Sequence, residues 1–172
     1  MLSIETIGAE RFIRGFSRIE ASFKDLSEVF EILYDDFKLI EMQNFAHEGT
    51  PKEFTPLSPK YAEWKAMNYP GQKIMRLTDR LYKSLTGSGG GDTVHIVKKD
   101  EATFGTSVPY AHRHQVGFDM PKRMIVQLTE NNKIRWGRLV HGWGVKKIRE
   151  ALQKQFVGSN APVSSFLSRI KR

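Results

Sequence analysis

The sequence predicts an α+β fold: a long N-terminal helix packed on a small antiparallel sheet, with short helices in the connections and a C-terminal helix. Three observations carry this. Phe12, Phe16, Ile19, Phe23, Leu26, Phe30, Leu33, Phe37 and Ile40 recur at spacings of four and three, the signature of one apolar helix face. Then "DTVHIVKK" and "EATFGTSV" alternate β-branched and polar residues around a short polar break, as paired strands do. From Thr129 onward "TENNKIRWGRLVHGWGVKKIREALQKQF" returns to a helical pattern.

The stripe predicts a helix from about Ala9 to about Phe45, with a kink expected near Gly15 to Ser22, ended by Gly49 and Pro51. Its aromatic face reads as core packing, with a coiled-coil partner as the alternative. The other face is acidic, carrying Glu20, Asp25, Glu28, Glu31, Asp35, Asp36 and Glu41. After a loop, Ser58 before Pro59 predicts a short helix, because proline suits a first helical position. A second short helix is predicted with Thr78 as its cap and Leu77, Leu81 and Leu85 along one side. The glycines of "TGSGGGDT" are read as a turn. A phosphate-binding loop would follow a strand, open a helix and carry Lys-Ser/Thr, whereas here Asp92 follows the last glycine. Lys98 to Glu101 is the hairpin turn, and "RMIVQL" is predicted as a third strand. In the last helix Gly142 and Gly144 are expected to make an interruption. One domain is expected over residues 1–157, followed by a flexible basic tail over 158–172.

Composition limits the chemistry. At 172 residues with 40% hydrophobic content the chain can bury a core. It has no cysteine, so disulfides, thiolate nucleophiles and sulfur-ligated zinc are excluded. The opening "MLSIETIGAERF" does not read as a signal peptide and no stretch reads as a membrane span, so cytoplasmic synthesis is the default expectation. The net charge of +8 is uneven: residues 133–172 hold ten bases against Glu150 alone, leaving the rest of the chain near neutral. A basic arm of this kind suits nucleic acid or an acidic protein surface; a solvated basic helix explains it equally.

"YAHRHQVG", residues 110–117, raises the question of a metal site or a catalytic pair. His112 and His114 would share a face on a strand and diverge on a helix. Histidine metal sites need further ligands, usually a carboxylate, and only Asp119 is near in sequence. No metal, cofactor or catalytic residue is assigned. A histidine-dependent hydrolase remains the third class of function, behind a structural protein and a nucleic-acid-binding module.

Taken in order, "FTPLSPKYAEWK", "KIMRLTDRLYKSL", "FGTSVPYAHRHQVG" and "PKRM" resemble the virion morphogenesis, or tail-completion, family of tailed phages. The matching positions are Pro56, Leu57, Ser58, Pro59, Lys65, Ile74, Arg76, Thr78, Leu81, Ser84, Gly105, Thr106, Tyr110, Ala111, His114, Gln115, Gly117, Pro121 and Arg123. His112 falls at a position the pattern leaves free. Phe54 stands where the family often has Trp, Asp79 where it usually has Gly, and Lys122 and Met124 alter its Pro-Ala-Arg run. The aspartate is expected to be tolerated as an acid at a helix start. The shared residues read as packing and hydrogen-bonding groups, with His114 and Gln115 bonding to nearby backbone. The resemblance implies a non-enzymatic neck component of the virion, assembled in the host cytoplasm as a homo-oligomeric ring, a hexamer, joining head connector to tail. Its partners would be itself, connector and tail proteins, and packaged DNA.

A ring needs a heterologous interface that closes. Glu28, Glu31, Asp35 and Asp36 are expected to form one half of it and Lys146, Lys147 and Arg149 the other, with Arg169, Lys171 and Arg172 in the tail. The alternative is that the basic quarter lines a channel and meets DNA without sequence preference.

Overall fold

The computed structural model describes residues 9–88 and 90–156. It is α+β: α1 (Ala9–Ser22), α2 (Ser27–Ala46), α3 (Pro59–Asn68), α4 (Arg80–Leu85), β1 (Thr93–Val97), β2 (Ala102–Thr106), α5 (Ala111–Val116) and α6 (Glu130–Phe156). Helix α2 lies between two partners. The β-hairpin and α4 pack on it, and so does α6, which also carries α1.

The expected single N-terminal helix is two. Phe23 and Lys24 donate to the carbonyls of Glu20 and Ala21, a tightened turn that ends α1. The Asp25 carboxylate accepts from the Ser27 N–H at 2.9 Å and starts α2 afresh. The Ser27 side chain first, then its N–H, hold the Asp25 carboxyl below its usual range. The hairpin turn anchors the break, since Leu26 N–H donates to the Lys99 carbonyl at 2.7 Å. The break therefore falls just beyond the predicted kink. Its local signal was Asp25 two residues before Ser27, a spacing at which a carboxylate accepts from the backbone and competes with a continuing helix.

The apolar stripe divides at the same place. Leu33, Phe37 and Ile40 are buried, whereas Phe16 and Phe23 are exposed and the Phe12 side chain lies outside the described residues. The core joins Tyr34, Phe37 and Phe45 of α2 to Leu81 and Leu85 of α4, with Val108, Ala111 and Ile125 closing it. The strands pair antiparallel, Thr93 with Thr106 through Val97 with Ala102. From them His95 stacks on Tyr34 at 3.8 Å, and Phe104 meets Tyr34 and Phe37 at 5.1 and 5.9 Å. Helix α3 begins at Pro59, as its sequence predicts.

Two expectations fail for reasons of packing. "RMIVQL" is not a strand, because a side chain takes the place of a neighbouring strand. Gln115 Oε1 accepts from the N–H groups of Ile125 (2.7 Å) and Val126 (3.0 Å), and its Nε2 donates to the Val126 carbonyl at 2.7 Å. Asn44 Nδ2 donates to the Ile125 carbonyl at 2.6 Å. With those groups satisfied, the segment lies half-buried, with Ile125 fully inside, without a sheet. Nor is the last helix interrupted: α6 runs unbroken through Gly142 and Gly144. Trp143, between them, is buried and meets Phe23 edge-on at 5.5 Å, so tertiary packing outweighs the glycines' weak helix propensity.

Candidate functional site

The glycine-containing turn of "YAHRHQVG" is a six-residue helix, α5, closed by Gly117 at φ 82°. A Cβ at Gly117 would approach Lys122 Cβ to 2.9 Å, so both the backbone and the space demand glycine. On this helix His112 and His114 point apart. Among the described residues no group of three or more His, Cys, Asp or Glu could hold a metal ion.

His114 instead turns into a cleft of about 720 Å³ bounded by α3, α4 and α5. Most of the motif positions, spread over nearly seventy residues of sequence, meet there. Pro56, Leu57 and Ser58 form one lip, and α3 contributes Tyr61 and Lys65. Arg76 and Thr78 come from the loop before α4, and Leu81 from α4 itself. Tyr110 and His114 supply the opposite wall, with Pro121 and Arg123 beside them. Sequence reasoning treated these residues as separate packing groups; only the fold shows that they share a cavity.

Polar contacts hold the walls. Arg123 is buried, donating Nε to the Thr55 carbonyl at 2.8 Å and Nη2 to that of Pro56 at 3.1 Å. Lys65, also buried, donates to the Lys73 carbonyl. Arg76 grips Asp79 through two bonds of 2.8 Å and lies 4.1 Å over the Tyr82 ring. Asp79 adopts φ 59°, a left-handed conformation that favours glycine. This corrects the expectation that Thr78 caps the helix. Helix α4 starts at Arg80 with Asp79, not Thr78, before it, and Asp79 makes no side-chain cap bond. What offsets its backbone strain is the Arg76 pair, which also holds the Asp79 carboxyl below its usual range. Nearby, Arg80 pairs bidentately with Asp92 at 2.7 and 2.8 Å and fixes the glycine turn.

The remaining motif positions lie behind the cleft. Ser84 is fully buried and its hydroxyl meets that of Thr106 at 2.7 Å, tying α4 to β2. Ala111 belongs to the core, and Ile74 donates its N–H to Glu48. Gly105 pairs with Val94, and a Cβ there would meet nothing within 4 Å, so the structure supplies no steric reason for that glycine. Gln115 bonds to backbone as expected. His114 does not: its buried Nδ1 has no partner, and burial first, then the Arg123 charge, lowers its pKa.

The charged candidates come together inside one chain. Glu28 pairs with Lys146 at 3.2 Å and with Lys147, Asp36 with Arg135 at 2.9 Å, Asp35 with Lys38 at 2.8 Å, and Glu31 lies 3.1 Å from His95. Lys147 foremost, then Lys146, draws the Glu28 carboxyl down to about 2. The pairs of Glu28 and Asp36 therefore clasp α2 to α6, a role their sequence separation concealed, whereas Asp35 pairs within α2 and Glu31 faces β1. Arg149 is exposed on α6, and Arg169, Lys171 and Arg172 lie outside the described residues. Among the described residues no helix is long and apolar enough to cross a membrane.

A family model described as the phage virion morphogenesis family matches residues 7–138, from the first helix through the first third of α6, and includes every wall of the cleft. No curated protein and no solved structure matches.

Proposed function

Because the chain belongs to the phage virion morphogenesis family, we propose that it is a structural component of the neck, of the tail-completion type, and that copies of it close into a ring between head connector and tail. The family match over most of the chain is the observation that carries this reading. The outward face of α6 supports it. Ile134, Val145 and Ile148 are exposed there on a row shared with Arg138 and His141, which leaves aliphatic surface for a neighbouring subunit. Since Lys146 and Lys147 are engaged within the chain, this row rather than the charge pairs is the better half of an interface.

Native mass measurement of the full-length protein tests the ring. One closed oligomer is expected, and Val145→Glu with Ile148→Glu should shift it to monomers that still melt cooperatively. A wild-type protein that stays monomeric at all concentrations, and is dispensable for head–tail joining in extracts, would sink the proposal.

The second reading, non-specific DNA binding through the basic quarter, is favoured by the exposed bases Lys133, Arg138, Arg149 and Lys154 on α6. It requires affinity for duplex DNA that falls steeply with salt and ignores sequence.

A further inference from the structure

Two cations are buried in the wall of the cleft, and neither forms an ion pair with a carboxylate among the described residues. Lys65 is 5% exposed and Arg123 6%. Their hydrogen bonds go to the carbonyls of Lys73, Thr55 and Pro56. Lysine offers three donors and arginine five, so most of this capacity is left for something else. The two charges also oppose one another. Burial pushes the Lys65 ammonium below its usual range; Glu48 resists that and Arg123 adds to it. Asp79, the acid in the cleft wall, is committed to Arg76. Charges buried without a counter-ion carry a heavy desolvation cost, which an arriving anion would offset.

The surroundings narrow the choice of anion. Leu57, Met75, Leu77, Leu81, Met120 and Pro121 make the rest of the wall largely apolar. A small inorganic anion would leave those side chains uncovered. Duplex DNA keeps its phosphates on a broad hydrated surface, and cations recessed this far lie beyond its reach. A polypeptide can supply an aliphatic side chain and a carboxylate together, and its backbone can enter as an extended strand.

We propose that this cleft is the docking site for an extended segment of a partner protein in which an Asp or Glu neighbours an aliphatic residue, the carboxylate meeting Lys65 and Arg123 and the aliphatic group the apolar wall. That the partner is another virion protein rests on the family reading; the chemistry of the cleft does not. The motif positions that line it are thereby assigned a common task of recognition.

An array of random decapeptides, probed with the full-length protein, reads the preference directly. Peptides with Asp or Glu beside Leu, Ile, Met or Phe should be enriched. The best binder, resynthesised with a fluorescent label, should lose at least tenfold in affinity when its acid becomes the amide. Lys65→Met should cause a similar loss, and the two changes together should cost little more than either alone. Because Lys65→Met removes a costly buried charge together with one hydrogen bond to the Lys73 carbonyl, it should still melt cooperatively and close to wild type, which separates lost recognition from lost fold. Binding unchanged in Lys65→Met, enrichment of peptides without acids, or a preference for peptides of this chain's own sequence would overturn the proposal. So would competition by an oligonucleotide duplex as effective as that by the peptide. Peptide binding by a protein that never forms rings would support the cleft while rejecting the ring, so the two readings fail separately.

Discussion

Phe37 and Phe16 belong to one apolar stripe in the sequence, yet the first is 3% exposed and the second 58%. The difference is between two kinds of structure. Around Phe37 a close-packed core joins α2, α4 and the hairpin, and backbone groups left without a ladder are satisfied by Gln115 and Asn44. Where α6 meets α1 and the start of α2 the layer is thinner, held by the edge contact of Phe23 with Trp143 and by ion pairs such as Lys146 with Glu28. The first region is stabilised mainly by burial and the second leans on surface charges. They should therefore fail under different conditions.

The widest separation should come from truncating the stripe at its two ends. Phe37→Ala should cost roughly 3–5 kcal/mol, the range for emptying a packed aromatic site. Phe16→Ala should cost less than about 1 kcal/mol, because it removes a side chain that is already largely solvated. Urea denaturation of the two variants checks this, and equal losses would show that α1 is as much core as α2.

Acid and base should then act on the regions in opposite directions. Burial pushes the Glu41 carboxyl up to about 8, against 4.5 for the ordinary group, with Asn44 opposing. The folded state thus holds a proton that the unfolded chain releases, and the resulting stability is present in full below pH 4.5. It is lost as pH rises toward 8, at up to about 1.4 kcal/mol per pH unit. Glu28 has the reverse sign. Its carboxyl is drawn down from 4.5 to about 2, so its contribution is present above 4.5 and lost as pH falls toward 2. Denaturation followed between pH 5 and 8 should show the decline in wild type and its loss in Glu41→Gln, where only the gain from the lowered His114 pKa, complete above about pH 6.5, should be left. A decline that persists in the variant would place its origin elsewhere.

Salt should give the smallest effect and the sharpest localisation. Lys146→Ala with Lys147→Ala should destabilise by about 1 kcal/mol or less, since the pairs with Glu28 are partly exposed. High salt should shrink that difference, because the charges it screens lie at the surface. Hydrogen exchange should register the loss in α1 and α6 while α4 and the hairpin keep their protection. An undiminished difference at high salt would mean that the lysines act through packing of their stems.

The sequence by itself determined what depends on neighbours a few residues away. The stripe from Leu33 to Ile40 is a helix face because side chains three and four apart share one side of a helix. The strands at 93–97 and 102–106 pair in a register fixed by the short turn between them, and Pro59 opens α3 because its ring suits a first helical turn. The order of the shared motif pointed to the family for a similar reason, since it can be read along the chain. The tertiary structure decided everything that rests on a distant partner. Leu26 breaks from its helix to meet Lys99; Gln115 replaces a strand; Glu28 finds lysines 118 and 119 positions away. Lys65 and Arg123 share the wall of one cleft. Periodicity and caps describe a segment's own preferences. Which segment satisfies another's hydrogen bonds and charges depends on how the whole chain closes, and pattern along the sequence carries no record of that closure.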